Sequence, residues 1–564
     1  MDVHVAAEGP VREALEAGLA DADVTVIEGV ASDLEDARFG VVAGVVGDGR
    51  FEQANEAAIA GATPWIAVEV GGLGGVPLED VDAAVTGHAP GTGCHQCLET
   101  RVATTEQRGT GPPTSERSLA RLAGALAASE CVGLFAGREP SIVGQVVELP
   151  HVRRRLLPVP GCVCETVQDR SLGRDTDTMP LEAAVEACDA VVDDRVGIVT
   201  QVGEASSFPA PYYLATLAET DPLSDASAPG EAAGVDADWN AAFVKAVGES
   251  LERYCGAIYR EDDLVTDPPG AVCGPDAFVR PGEGDVDHWV SGEHLETGET
   301  TWLPASEVHF PPPSPRVRPS ITTGLGLGSS TVDALVAGLT EVIERDAAMI
   351  AWYSSYEPVG LSVEHDTFQT LERRAAGESL AVTAVGLTQD VDVPVVAVAV
   401  HRESAWPRFA VGSAAALDGE RAAVGALCEA LQNWMELREL GSERAHEEAG
   451  GSIAEYADRP PVVEDLVDVP PRVSAAALGP DPVPTDEAAL ETLLEAVSAA
   501  GLDAYAVSLT TRDVAAVGFE AVRVVVPSAQ PLFTGTPYFG ERAREVPRAL
   551  GFEPRLERPY HPFP

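Results

Sequence analysis

Two rhythms of apolar residues alternate along the first hundred positions. Short runs at 3–6, 24–27, 41–46 and 64–70 are dense in Val, Ile and Ala, as buried strands are. Between them, 11–19 and 51–60 place apolar residues at helical spacing. Strand alternating with helix predicts an α/β fold with a parallel sheet. The run Gly71-Gly72-Leu73-Gly74-Gly75 reads as a tight turn, the alternative being a loop that lets another chain approach its backbone. Helical spacing returns at 119–129, with polar stretches at 104–116 and 171–178 on either side. Segment 221–238, rich in Ser, Ala, Gly, Pro and Asp, reads as a long surface loop. Helices and strands alternate again beyond it, with strands at 394–400 and 521–526. Two domains are expected, 1–170 and 178–564.

Composition narrows the function classes. Hydrophobic residues make up 45% of the 564, which excludes wholesale disorder. No apolar run reaches the ~18 residues that span a bilayer. Met1-Asp2-Val3-His4 lacks the basic head and apolar body of a signal peptide. The expectation is a cytoplasmic protein with no membrane partner. Acidic residues number 90 against 37 basic ones, a net charge of −53, and Lys245 is the single lysine. The carboxylates are scattered, not gathered into an interaction tail. Such dispersed acidity fits a halophile, in whose cytoplasm molar salt screens self-repulsion. It argues against nucleic acid as a partner, which needs clustered Lys and Arg. A Walker-type phosphate loop is excluded, because Asn240-Ala241-Ala242-Phe243-Val244 before Lys245 holds no glycine. The first strand runs into Ala6-Ala7-Glu8-Gly9-Pro10, which is not the glycine-rich turn of a dinucleotide site.

One short pattern occurs twice: Glu249-Ser250-Leu251-Glu252-Arg253 and Glu341-Val342-Ile343-Glu344-Arg345. Glutamates three apart share a helix face. A single copy would read as a solvated face with ion pairs to Arg253 or Arg345. Two copies, each with an apolar residue that should be buried, point to four half-buried carboxylates. Unpaired buried charge is costly, and a hard cation with oxygen ligands compensates it well. The pattern therefore points to ATP held through Mg2+ by acidic helices.

Here the chain resembles a known family. The runs Ala246–Tyr254, Thr322–Ser330 with Asp333-Ala334, Gly338–Ala347 and Cys428-Glu429-Ala430-Leu431-Gln432 together resemble the YcaO signature. The resemblance implies a YcaO-type ATP-binding domain in which Glu249, Glu252, Glu341 and Glu344 hold ATP and Mg2+. It implies that Ser329 and Asp333 line the nucleotide, and that Glu429 and Gln432 belong to the same site. The family usually has glutamate where Asp333 stands, and this chain lacks the lysine of an early Gly-Lys-Gly, having Ala233-Gly234-Val235-Asp236 instead. The ending Arg558-Pro559-Tyr560-His561-Pro562-Phe563-Pro564 resembles the proline-rich tail of azoline-forming YcaO cyclodehydratases, with Tyr560 interrupting the pattern. The resemblance implies a catalytic carboxylate at Pro564, a general base carried on a stiff strut. A frayed terminus is the alternative.

Cys94-His95-Gln96-Cys97 and Cys162-Val163-Cys164 pair as structural zinc ligands do, the alternative being buried thiols. Residues 60–165 resemble the ThiF-like partner domain of azoline biosynthesis, which often carries a four-cysteine Zn2+ site. The resemblance implies a Rossmann-like N-terminal domain with Cys94, Cys97, Cys162 and Cys164 on the metal. Cys131, Cys188, Cys255, Cys273 and Cys428 read as core residues.

The expected function is ATP- and Mg2+-dependent cyclodehydration of Cys, Ser or Thr to azolines in a ribosomally made, bacteriocin-type peptide. The expected partners are that peptide, an FMN-dependent dehydrogenase and a second copy of the chain. Thioamide formation and a non-catalytic peptide scaffold remain open alternatives.

Overall fold

The computed structural model describes residues 2–20, 22, 24–105, 112–138, 141–150, 152–165, 171–282, 284–448 and 452–563. The chain forms two compact units. The first holds residues 1–169 together with 189–201 and 218–223.

The first unit is built on a seven-stranded sheet. Its spatial order is Thr25–Glu28, Asp2–Ala6, Gly40–Val45, Trp65–Val70, Ala83–His88, Gln145–Leu149 and Val152–Arg155. The first four strands pair in parallel. The other three are antiparallel, so the all-parallel expectation holds for one half only. The helices Gly9–Leu19 and Arg117–Phe135 share a core with the sheet through Val11, Leu15, Leu19, Ala120, Ala123 and Ala127. Gly124 allows their close approach, since a Cβ there would collide with the Val11 carbonyl. Arg117–Phe135 is long and apolar enough to cross a membrane by length and composition alone. Within 71–75, Gly72–Leu73 is a short strand, and Gly74-Gly75 turn it back onto the strand Val76–Pro77. The Gly74 and Gly75 N–H groups donate to the buried Glu69 carboxylate, both at 2.9 Å.

The second unit contains two five-stranded sheets. One orders Thr300–Pro304, Trp289–His294, Tyr505–Ser508, Glu520–Val525 and Leu325–Gly328, all antiparallel. The other orders Phe409–Ala415, Val395–His401, Ala381–Gly386, Val359–Ser362 and Pro471–Ser474, with only the last pair parallel. The helix Thr331–Trp352 shares one core with both sheets, through Leu335, Leu339 and Ile343 against Val395, Ala397, Val522 and Val524. Val396, Val398 and Val400 face the opposite way, into a core with the helix Asp366–Gly377 and the helical segment Gly419–Glu448, which is broken by a kink at Gly441. The alternation along Val395–His401 thus serves two cores at once, which is why that strand is apolar from Val395 to Val400.

Segment 221–238 is not all loop. Glu231–Val235 is a strand, antiparallel to Tyr212–Leu217. Small residues hide it from a hydropathy reading, yet they are what the packing needs. A Cβ on Gly234 would collide with the backbone of Ala242 and Ala246 in the helix Trp239–Ala257.

Candidate functional site

Three helices bring their glutamates together, and each is set down on a strand through a glycine. Trp239–Ala257 rests on Gly234, Thr331–Trp352 on Gly326, and Gly419–Glu448 on Gly412. At Gly326 a Cβ would strike the Ala334 carbonyl, and at Gly412 the backbone of Ala426 and Ala430. With no side chain between, strand N–H groups reach the helix carboxylates. Ala233 N–H donates to Glu249 at 2.9 Å, Leu327 N–H to Glu252 at 3.0 Å, and Gly324 N–H to Glu341 at 2.9 Å. Ser413 serves two helices, its N–H donating to Glu429 and its Oγ–H to Glu344, both at 2.6 Å.

Glu249, Glu252, Glu341 and Glu429 are half-buried and Glu344 is buried. Burial pushes Glu252 up to about 8, and the Glu341 and Glu249 charges add to it. Burial also carries Glu344 up to about 8, against the pull of Arg345 and with help from Glu429. Glu429 is raised by burial too, again opposed by Arg345. These groups are too close and too dry all to stay ionised unaided.

The two Glu-x-x-Glu-Arg copies diverge at their arginines. Arg253 pairs with its own Glu249 at 2.5 Å and donates to the Glu231 carbonyl. Arg345 is turned inward, 3.3 Å from both Glu344 and Glu429. Ser329 Oγ–H donates to Asp333 at 3.1 Å and accepts the Met179 N–H at 2.9 Å, at the start of the Thr331–Trp352 helix. Ser330 caps that helix by accepting the Asp333 N–H. Gln432 donates to Glu436 at 3.0 Å, and Glu436 also accepts the Tyr212 hydroxyl at 3.0 Å. Ser413, Arg345 and Glu436 escape the sequence reading of the site. A glycine next to Ser413, as next to Ala233 and Leu327, is the one signal that could have found it. Lys245 bonds Asp236 at 2.7 Å and the Val235 carbonyl at 3.2 Å.

The chemistry of this donor set suits Mg2+: carboxylate oxygens from three helices, each already oriented by a backbone or hydroxyl donor. Glu249, Glu252, Glu341, Glu344 and Glu429 are the residues that would hold it.

The tail is docked, not frayed. Pro559 O accepts the Trp352 indole N–H at 2.8 Å, and the Arg558 guanidinium lies 4.1 Å over the Trp352 ring. Tyr560 OH donates to Phe533 O, and the Tyr456 hydroxyl donates to Tyr560 O. Phe563 is buried edge-on to Trp352. His561 faces the Phe533 and Phe563 carbonyls, and burial holds it down to about 4. The ring is therefore neutral and donates to one carbonyl at a time. Pro564 lies outside the described residues. The tail runs along the C-terminal end of the helix that carries Glu341 and Glu344.

In the first unit, Cys94, Cys97, Cys162 and Cys164 place their sulfurs within 4.8 Å of one another. Cys94–Cys162 and Cys97–Cys164 are each 3.5 Å apart and Cys94–Cys97 is 3.8 Å. A tetrahedron of ~2.3 Å Zn–S bonds has edges of about 3.8 Å, so the thiols fit such a metal. The Val159 N–H donates to Cys97 Sγ at 3.3 Å. Cys131, Cys188, Cys255, Cys273 and Cys428 are buried singly, as core residues are.

An uncharacterized protein of Methanothermobacter thermautotrophicus is 34% identical over 223 residues, covering 36% of this chain and 56% of its own length. The chain thus spans little more than half of that relative. A heterocyclase solved in complex with substrate and cofactor matches with TM-score 0.69 at 18% identity, over 98% of this chain and 83% of its own. The heterocyclase TruD matches with TM-score 0.64 at 17% identity, over 98% and 81%. Both carry the fold across the first unit as well as the second. YcaO from Methanopyrus kandleri, bound with AMPPCP and Mg2+, matches with TM-score 0.51 at 25% identity, over 62% of this chain and 91% of its own. The family described as YcaO cyclodehydratase, ATP- and Mg2+-binding, matches residues 233–530, more than half of the sequence and every glutamate of the cluster, and the chain belongs to the YcaO family.

Proposed function

We propose that the protein is an ATP- and Mg2+-dependent cyclodehydratase that forms azolines from Cys, Ser or Thr of a peptide. The observation that carries this is the five-glutamate cluster on three helices, oriented by strand N–H groups and left with more negative charge than its own arginines offset. Bound there, Mg2+ would supply charge neutralisation for the nucleotide phosphates. Ser329 and Asp333 would line the nucleotide, and Glu429 and Gln432 would complete the site.

In the proposed reaction a side-chain thiol or hydroxyl attacks the preceding amide carbon. The former amide oxygen takes the terminal phosphoryl group of ATP, leaving ADP. That oxygen then departs with phosphate as the ring nitrogen gives up its proton to solvent and forms its double bond to carbon. The Pro564 carboxylate would accept the nucleophile's proton. Cys94, Cys97, Cys162 and Cys164 would hold a structural Zn2+ in the ThiF-like unit. The peptide, an FMN-dependent oxidant of azolines and a second copy of the chain are the partners this reading carries, in a cytoplasm of high salt.

Incubation with Mg2+, ATP and a Cys- or Ser-rich peptide tests it. Hydrolysis of ATP with loss of one water from the peptide supports azoline formation. Exchange of oxygen for sulfur would mean thioamidation, and no turnover a scaffold.

A further inference from the structure

The strand Glu231–Val235 ends its three-stranded sheet, so one of its edges has no strand beside it. The Leu217 N–H on the Gly230 carbonyl at 2.8 Å sets the phase of its pairing with Tyr212–Leu217. The main-chain groups of residues 231, 233 and 235 therefore point off the open edge. One row of the helix Trp239–Ala257 takes a group from each. Arg253 donates to the Glu231 carbonyl, Glu249 accepts the Ala233 N–H at 2.9 Å, and Lys245 donates to the Val235 carbonyl at 3.2 Å. Lys245, Glu249 and Arg253 are spaced four apart, so they stack along one face of the helix.

The row sets the chain's single lysine beside Glu249, at the margin of the glutamate cluster. Its ammonium lies two strand residues beyond the Ala233–Glu249 contact, about 7 Å along the edge. It pairs with Asp236 at 2.7 Å, and Asp236 is itself fixed by the Asp238 N–H at 3.2 Å. On the third helix, burial pushes the Cys428 thiol up to about 11 against the opposing charge of Lys245. The ammonium is therefore also near the residue that precedes Glu429.

Three features suit this ammonium to an incoming anion. The cluster's own arginines are committed, Arg253 to Glu249 and Arg345 to Glu344 and Glu429. Lys245 pairs with a carboxylate outside the five, and among the described residues Asp236 and the Val235 carbonyl take only two of its three N–H donors. Its side chain is 49% exposed, so the third hydrogen can meet a group arriving from solvent. Magnesium offsets only part of a triphosphate's charge, and a compact ammonium is a good partner for the rest. A phosphate with one oxygen on Mg2+ at ~2.1 Å and another ~2.8 Å from the ammonium bridges a gap of the size the strand sets.

Building on the reading of this cluster as an ATP and Mg2+ site, we propose that Lys245 gives its remaining N–H to a phosphate oxygen of the bound nucleotide. Asp236 and the Val235 carbonyl hold the ammonium in position for it.

The test uses the lysine's uniqueness. In the full chain, acetylation by N-hydroxysuccinimidyl acetate has Lys245 and the α-amino group as its amine targets, and mass spectrometry reads the two separately. In molar KCl, saturating ATP with Mg2+ should slow acetylation of Lys245 about tenfold or more and leave the α-amino group unchanged. Adenosine should not protect, and protection by adenosine equal to that by ATP would overturn the proposal. Lys245→Met keeps the stem and removes the ammonium. By calorimetry it should weaken Mg2+-dependent ATP binding about tenfold to a hundredfold, the size of a hydrogen bond between charged groups, while melting without nucleotide like the parent. Lys245→Arg restores the charge and should recover part of that affinity. Parental affinity in Lys245→Met, or a loss in Lys245→Arg as large as in Lys245→Met, overturns the proposal. Intact ATP binding by the parent with Lys245 unprotected overturns this inference alone. No Mg2+-dependent ATP binding by the parent would overturn the reading beneath it as well.

Discussion

Glu344 and Glu429, on different helices, are held by one residue: Ser413 gives its Oγ–H to the first and its N–H to the second, each at 2.6 Å. The serine fixes the spacing of two carboxylates that would otherwise repel. Ser413→Ala keeps the N–H and strips Glu344 of its hydroxyl donor, leaving that buried oxygen only the Arg345 guanidinium at 3.3 Å. The variant should lose about 1–3 kcal/mol of stability by chemical denaturation without Mg2+. It should also need more Mg2+ for ATP turnover.

The raised glutamates predict a pH dependence with a definite sign. Glu252 and Glu344 sit at about 8 when folded, through burial and neighbouring carboxylates, well above an ordinary glutamate. The folded state therefore binds protons that the unfolded chain releases. That contribution to stability is complete below pH ~4.5 and is lost as pH rises through about 8. The melting temperature of metal-free protein, corrected for the other titrations by comparison with a Glu252→Gln, Glu344→Gln double variant, should fall across that window. Mg2+ should reverse the fall, and its binding near pH 7 should release protons measurable by calorimetry in buffers of different ionisation enthalpy. A flat difference between parent and double variant would contradict the assignment.

Much of this site was legible in the chain because glutamates three apart on a helix share a face whatever the tertiary context. The repeated Glu249/Glu252 and Glu341/Glu344 pairs needed only that periodicity. What surrounds them was harder to read. The strand Glu231–Val235 looks like loop because its Ala and Gly are selected for contact with a helix, not for hydropathy. Arg253 and Arg345 occupy equivalent places in the two copies, yet only Arg345 turns inward, because Glu429 arrives from a third helix far along the chain. The antiparallel half of the first sheet was missed for a similar reason: buried strands are near-continuous in apolar residues whichever way they run. The two units interleave at 189–201 and 218–223, where composition changes little.

If the four clustered thiols carry a metal, purified protein should contain about one equivalent of zinc. Cys97→Ser should lose it and lower the melting temperature of the first unit, with Mg2+-dependent ATP binding by the second unit retained. Metal analysis that finds no zinc in protein prepared without chelator would leave the cluster as buried thiols.

The docked tail predicts a division between binding and turnover. Deleting Phe563 and Pro564 removes the buried ring against Trp352 and shortens the chain by ~6 Å. ATP binding should survive, while azoline formation falls by the ~10²–10⁴ of a lost general base. Adding one glycine after Pro564 keeps every side chain and moves only the terminal carboxylate, and it too should impair turnover. Full activity in both variants would make the tail's docking a matter of stability alone.

The central claim is that the glutamate cluster binds ATP through Mg2+. Its most direct test is calorimetric titration of ATP into parent and Glu341→Gln protein, each with and without Mg2+, in molar KCl. Glu341→Gln preserves size and can still accept the Gly324 N–H, but removes one negative charge. The parent should bind ATP only with Mg2+ present, and Glu341→Gln should lose that binding while melting cooperatively like the parent. Glu372→Gln, at an exposed position on another helix, should bind as the parent does. Mg2+-dependent ATP binding of parental strength in Glu341→Gln would contradict the account.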